Sequence, residues 1–531
     1  MEREAKMLKI SRTPMTEATV ILCPQAQYKS EEIRQHINFA LDHLNLTPWG
    51  RTLIKPNVVA SGSRFPHAFT RPEFTEAVAL ALKDRRARVE ADQAQSLTLP
   101  SMSEWAIGER CGITMPTRFA YRGAGYYKMA KKVGYKLYHF DEVPQVEIEL
   151  KHADRLRERL FTPQPIAQAD FFVNCPKFKA HPWTTVTFSL KNYIGIQDDK
   201  HRLIDHDHRL NSKILDLQYI LQPQFIAIDA ITAGEGRMLT PIPFDLGHVI
   251  MGNNQVAFDA VCCHIIGVDP LSVPHIRLAY EHGFGPVELD QIKIIGDLER
   301  AKAAAKGFRV GLIRVEDYFE GTSIKAYGGK PPPDGDEDYC WGGCPGALEE
   351  AIEILRLSDD EVDQKLKPVH VVFGRYEGEI KPKPGEKVIF IGDCAEYKGE
   401  LHGELIHLDS QVVDRASIEP REAKSDDIFV KMAKMEALFY SAGDVFRISG
   451  CPVSVAEQVL MLVKLGKLKN PYFDLKEAIP FTSCYLSWRT RQLINLILGQ
   501  PKQLTTEDQP TRGAAAVNML VEPTQLERGE S

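Results

Sequence analysis

The chain has 531 residues, too many for one ordinary hydrophobic core, so two or three domains are expected. It is 44% apolar and 26% charged, as globular proteins are, and its formal net charge of −7 argues against a general nucleic-acid binder, which needs a basic surface. The polar opening Met1–Thr16 holds no signal-peptide core, and no apolar run approaches the roughly 18 residues of a membrane span, so a cytoplasmic protein is expected.

The first part alternates short apolar runs with helical patterns. Strands are predicted at Thr19–Cys23, Thr52–Ile54, Phe171–Val173, Phe225–Ile231 and Ile292–Ile295, where residues are β-branched or aromatic. Helices are predicted at Glu31–Leu44, Pro72–Lys83, Asn211–Leu221 and Val256–Ile266. Such alternation implies an α/β fold with a mostly parallel sheet over 1–305.

Thr322–Asp338 has linker chemistry: Gly328-Gly329, Pro331-Pro332-Pro333 and the acidic run Asp334–Asp338. The α/β rhythm then returns, with strands at Val369–Phe373, Lys387–Ile391 and Val445–Ile448 and helices at Ala347–Leu357, Ile428–Tyr440 and Val453–Leu465. A second α/β domain is placed at 306–495, with Val310–Val315 as a further strand. The polar tail 496–531 is expected to be disordered.

Ten cysteines without the spacing of small secreted domains point to reduced thiols or metal ligands. Four stand at element ends in the second half: Cys340 and Cys344 before a helix, Cys394 after the strand Lys387–Ile391, and Cys451 ahead of Pro452. Helix N-termini favour negative charge, so thiolates are expected to form readily there. Four converging thiolates suit an iron–sulfur cluster or zinc. Structural burial is the plain alternative for any one cysteine. It is the reading for Cys262 and Cys263 inside an apolar helix, and Cys23, Cys111 and Cys484 have no partners at motif spacing. The pair Cys340/Cys344, the loop Gly392-Asp-Cys394-Ala395 and the loop Gly450-Cys451-Pro452 together resemble the small subunit of nickel–iron hydrogenases and the related subunit of respiratory complex I. That resemblance implies a flavodoxin-like second domain with one [4Fe–4S] cluster on Cys340, Cys344, Cys394 and Cys451.

The stretch Asn174–Gly195 concentrates cations in an acidic chain. Lys177, Lys179 and His181 alternate with other residues, so an extended backbone sends them to one side, and Lys191-Asn192 follow. This argues for an anionic ligand. His208 is of the residue type best suited to general acid or base work near neutral pH, although the run Asp205-His-Asp-His208 also has metal-ligand chemistry. Trp183 and Phe178 have the flat faces to stack on a cofactor or to pack in a core. Lys55-Pro-Asn57, Thr70-Arg-Pro72, the Lys177–His181 run, Lys191-Asn192 with Gly195, His208, Asp229-Ala230 and Phe258-Asp259-Ala260 together resemble the family called domain of unknown function 362. Many of its relatives carry a ferredoxin cysteine run, which this chain lacks; the second-domain cluster is expected to take its place. The resemblance also implies distant kinship with nickel-cofactor lactate racemases.

The expectation is therefore an iron–sulfur oxidoreductase or electron-transfer protein. Lys179, His181, Lys191 and His208 are its expected catalytic residues, and Lys55, Asn57, Lys177, Asn192, Asp229 and Asp259 its expected cofactor-binding residues. An anionic small molecule and a redox partner protein are the expected partners, with no nucleic acid; a further organic or nickel cofactor is left open. Two alternatives stand beside it. One is a non-redox racemase or isomerase using Lys/His acid–base chemistry, with a structural four-cysteine metal site, zinc being the rival metal. The other is a non-catalytic electron carrier or assembly partner.

Overall fold

A computed structural model describes residues 17–497, apart from 63–64, 93–98, 113–114, 151, 198–201, 203, 221, 333–334, 336, 412–427 and 472–474. The tail from 498, the run 198–201 with His201, and part of the acidic linker lie outside the described residues. The described chain falls into two compact units, one of 17–198, 211–310 and 483 onward, the other of 202–210 and 311–482.

In the first unit the strands are β1 (Thr19–Pro24), β2 (Gly50–Pro56), β3 (Met102–Glu109), β4 (Lys136–His139), β5 (Gln145–Glu149), β6 (Arg159–Pro163), β7 (Phe171–Cys175), β8 (Lys177–His181), β9 (Thr185–Val186), β10 (Phe225–Glu235), β11 (Ile242–Phe244), β12 (His248–Gly252) and β13 (Lys293–Ile295). The main sheet runs β13-β1-β12-β10-β7-β2-β3-β4; β5 and β6 form a hairpin of their own. The pairs β10/β7, β7/β2, β2/β3, β3/β4 and β1/β13 are parallel, while β12 runs antiparallel between β1 and β10. The mostly parallel α/β sheet read from the alternation is thus the observed architecture. Helices Ser30–His43 and Pro72–Ala91 bury Ile33, Ile37 and Leu41, and Phe74, Val78 and Leu82, in one core with Ile54, Val173 and Phe225 of the sheet. Proline at the first turn suits the second helix, since its missing N–H would have no partner there.

The second unit has its own sheet. Strands β14 (Ile324–Gly328), β15 (Val369–Arg375), the first half of β16 (Lys387–Leu401) and β18 (Val445–Ile448) are parallel. The far half of β16 turns antiparallel to β17 (Glu404–Leu408). Helices Cys344–Arg356 and Val455–Gly466 bury Leu348, Ile352, Val459 and Leu462.

Four expectations need correction. Val310–Val315 forms no strand: Gly311 interrupts the run, Leu312 and Ile313 are exposed, and a short helix begins at Val315. Ile324–Gly328, read as linker, is β14, because its apolar residues pair with β15 in register Ile324↔Val369. Cys394 lies within β16 rather than after it. The helix predicted from Val453 starts at Val455, capped by Ser454, whose Oγ accepts from the Glu457 N–H while Glu457 accepts from the Ser454 N–H.

Candidate functional site

In a parallel sheet the backbone ends its strands at one rim, where ligands gather. Lys55 closes β2, Glu109 closes β3, and Asn174 lies near the end of β7. Lys55 Nζ is 3.0 Å from Glu109 Oε1, with the two side chains 0% and 2% exposed. It also donates to Asn192 Oδ1 at 3.2 Å. Glu109 accepts the N–H groups of Val58 and Arg110 as well. Burial pushes the Glu109 pKa up, against the opposing pull of Lys55. Asn192 donates to Asn174 Oδ1 at 2.7 Å, and Asn174 donates onward to Ser189 and Gln255. Asn57 donates to Asn192, while its own buried Oδ1 has no hydrogen-bond partner among the described residues. A side chain at Gly195 would run into the Glu109 carboxylate and come within 2.8 Å of Lys55 Nζ. That close approach is why glycine follows Lys191-Asn192 at this spacing.

A second buried pair stands where β8 meets β10. The register places Asp229 opposite Lys177, and Lys177 Nζ lies 2.9 Å from Asp229 Oδ2, the side chains 1% and 0% exposed. Tyr28 donates from its hydroxyl to Asp229 Oδ1 at 2.8 Å and accepts from Lys177 Nζ at 3.0 Å. Arg71 adds its backbone N–H to Asp229 at 3.0 Å and sets its guanidinium over the Tyr28 ring. Burial pulls the Lys177 pKa down; Asp229 opposes it. Burial, then the Asp229 charge, raise the Tyr28 phenol. His67 is half-buried and feels Lys177 and Arg71, which with burial hold its pKa down. Lys177 and Asp229 are thus buried, while Tyr28, His67 and Arg71 around them are each partly exposed. Tyr28 and His67 were missed in the sequence because each is a lone residue in a loop, outside any spaced pattern.

The remaining candidates divide. Lys179 donates to the carbonyls of Ala68 at 2.8 Å and Met238 at 2.9 Å, tying down the loop that carries His67. His181 Nδ1 accepts from the N–H groups of Trp183 and Thr184, which places it in its own turn. Trp183 and Phe178 are buried, Phe178 against Phe188. The three residues of the β8 alternation thus have different partners within the protein. Lys191 is half-buried, and its charge, after burial, helps hold His275 down at about 3. Asp259 is fully buried and accepts the N–H groups of Ser189 (2.8 Å) and Leu190 (2.9 Å), so its oxygens fix the start of the turn Leu190–Ile196; burial pushes its pKa up to about 8. His208 lies in the second unit, beside Asp207.

In that unit the Cys340, Cys344 and Cys394 sulfurs are neighbours. The Cys340 thiol hydrogen-bonds with Cys394, and Cys394 acts electrostatically on Cys344. A side chain at Gly392 would begin 3.4 Å from the Cys394 sulfur and 3.9 Å from that of Cys344. The backbone there has φ +102°, a conformation glycine adopts freely, so residue type and local turn together keep this space open. Cys344 Sγ accepts the Val453 N–H at 3.1 Å, and the Cys451 thiol donates to Asp207 Oδ2 at 3.7 Å. Thiolates were expected to form readily here. Instead burial raises the Cys344 thiol, and the Cys340 hydrogen bond followed by burial raises that of Cys394. Among the described residues no three His, Cys, Asp or Glu side chains stand ready as the shell of a single metal ion. Cys262 and Cys263 are fully buried in the helix Gln255–Ile265.

Residues 52–264 match the sequence model of the family described as Domain of unknown function (DUF362). The matched stretch holds every Lys, Asn, His and Asp candidate; the four cysteines lie beyond it. Over 251 residues the chain is 22% identical to "Thylakoid-associated protein sll1697" of Synechocystis sp. (strain PCC 6803), covering 45% of this chain and 70% of that protein. Among solved structures, the lactate racemase apoprotein from Thermoanaerobacterium thermosaccharolyticum aligns with 84% of this chain and 99% of its own, at 11% identity and a TM-score of 0.28. A score that low carries no argument about fold or activity. Among the described residues no helix is long and apolar enough to cross a membrane.

Proposed function

We propose that the first unit is an acid–base enzyme of the racemase or isomerase class, moving a proton on a small anionic substrate. The observation that carries this reading is the buried Lys177–Asp229 pair with Tyr28, His67 and Arg71 on its open side. Arg71, whose Nε and Nη2 pair with Glu73, brings positive charge to this side for a carboxylate or phosphate. Burial favours the neutral, proton-accepting form of both His67 and Lys177, so these are the groups to take and return the proton. Tyr28 links Lys177 to Asp229 and relays the proton between them and the open side. Lys179 and Asp259 hold loops in place. The test is proton NMR in D2O with a panel of 2-hydroxy and 2-amino carboxylates, reading deuterium at C2. Exchange with at least one of them, falling on the order of 100-fold or more in His67→Gln, is expected. Exchange unchanged in that variant, or absent across the panel, would count against the reading.

A second reading concerns the second unit and rests on the proximity of Cys340, Cys344 and Cys394, with Cys451 beside Asp207, whose charge acts on Cys394. We propose that these four hold a metal centre, a [4Fe–4S] cluster with zinc as the rival, as the likeness to the hydrogenase small subunit implies. All-sulfur donors suit either, the Val453 N–H to Cys344 is a donor that stabilises a bound thiolate, and Gly392 leaves room between two of the sulfurs. A bound cation would also remove the protons that Cys344 and Cys394 now hold. When bound, an iron–sulfur cluster supplies one-electron transfer, which requires a redox partner protein. Iron, sulfide and zinc analysis after anaerobic purification tests it: stoichiometric iron and sulfide support the cluster, zinc alone the structural site, and no metal sinks both.

A further inference from the structure

One more carboxylate stands near the Lys177 site. Strands β10 and β11 form a hairpin, with Ala233 opposite Phe244, and Asp245 comes directly after it. The turn around Asp245 is fixed by its backbone: Leu246 N–H donates to Phe244 O at 2.9 Å and Gly247 N–H to Ile231 O at 2.9 Å. Gln25 N–H donates to Gly247 O at 2.7 Å, which ties the turn to the loop that carries Tyr28. Strand β12 then begins at His248 and sets Val249 opposite Asp229. The loop that carries His67 is pinned to the same hairpin. Lys179, 2% exposed, donates to Ala68 O beside His67 and to Met238 O between β10 and β11. The charge of Asp245 consequently reaches His67, where it opposes burial, Lys177 and Arg71 and acts in the same direction as Asp229.

The charges around His67 do not balance. Lys177 has Asp229 at 2.9 Å, and Arg71 has Glu73 at 3.2 Å. Each cation thus has a carboxylate of its own, and Asp245 is a further one. Asp245 is exposed and forms no ion pair among the described residues. Arg71 uses Nε and Nη2 on Glu73, which leaves the N–H groups of Nη1 for a ligand. A ligand with only negative charge would meet repulsion from Asp245, whereas one carrying both signs has a partner for each.

Resting on the acid–base reading above, we infer that the substrate is a 2-amino carboxylate in its zwitterionic form, with Asp245 taking the ammonium and Arg71 the carboxylate. The ammonium also serves the chemistry. It withdraws electrons from C2 and eases loss of the proton there, and a neighbouring carboxylate keeps it charged. A 2-hydroxyl group is neutral and offers Asp245 only a weaker hydrogen bond.

The experiment follows deuterium entry at C2 by proton NMR in D2O, using the full-length protein and matched pairs: alanine with lactate, serine with glycerate, aspartate with malate. In at least one pair the amino member is expected to exchange on the order of 10-fold faster, the size of one charge-assisted hydrogen bond. In Asp245→Asn that preference is expected to shrink by about the same factor, while Asp245→Glu, which keeps the charge, retains most of it. The preference is a ratio measured on one sample, so a partly unfolded variant does not alter it. Hydroxy acids exchanging as fast as their amino partners would overturn the inference and leave the acid–base reading standing. An amino preference of the same size in Asp245→Asn overturns the role given to Asp245. Exchange in none of the pairs fails the acid–base reading and the inference with it.

Discussion

Removing one member of the Lys177–Asp229 pair leaves the other buried without a counter-ion. Both side chains are at most 1% exposed, so water cannot compensate. Lys177→Met should therefore cost about 3–5 kcal/mol in urea denaturation. Adding Asp229→Leu should recover much of that loss, because two apolar groups replace two charges; a double variant as unstable as the single one would mean that the pair is not coupled. Asp259 gives a pH signature of the opposite kind to most acids. Its ordinary pKa is 3.8 and its folded value about 8, so across that window the folded protein holds a proton the unfolded chain has released. The stability this proton carries is complete below 3.8 and is lost as pH rises through about 8. Relative to Asp259→Asn, wild-type stability should fall between about pH 5 and pH 8.5, read as the difference in urea midpoints. A difference that does not change with pH would mean Asp259 is ionised in the fold.

At the scale of elements, the rim of the first sheet depends on the turn Leu190–Ile196 approaching β2 and β3 closely. Gly195→Ala puts a methyl group against the Lys55–Glu109 pair, and both charged groups are buried. A loss of about 1–3 kcal/mol is expected, in the range of core overpacking, with a lower Tm. An unchanged Tm would show that the turn can shift. The sequence reading reached the strands around Thr52–Ile54, Phe171–Val173 and Phe225–Ile231 because continuous apolar runs mark strands covered on both faces. It missed β3, whose first half Met-Ser-Glu-Trp is polar and half-exposed, and it read β14 as linker because two glycines and a proline run follow it. Lys177, Lys179 and His181 were correctly spaced for one side of a strand. What spacing could not show is which carbonyl or carboxylate stands opposite each, since those partners lie distant in sequence, as Asp229 and Ala68 do. The same limit hid Tyr28 and His67, and hid the fact that Asp207 and His208 belong beside the cysteines.

For the whole molecule, the two units have separate sheets and separate buried clusters. Metal binding stabilises only the folded unit that supplies the ligands, by an amount set by affinity and free metal. Cys344 is the member whose loss should be felt most in folding, since it begins the helix Cys344–Arg356, is buried, and accepts the Val453 N–H. Calorimetry of the metal-loaded protein is therefore expected to show two transitions. Cys344→Ser should strip the metal and lower one of them by several degrees, while the other transition, and the deuterium exchange assigned to Lys177 and His67, stay at wild-type values. Serine keeps the small size but is a poor ligand for a soft metal, so the substitution removes affinity with little change in volume. If both transitions fell together, or if exchange disappeared along with the metal, then the chemistry of the Lys177 site would depend on the cysteines and the acid–base reading would have to be rebuilt around a metal-linked reaction.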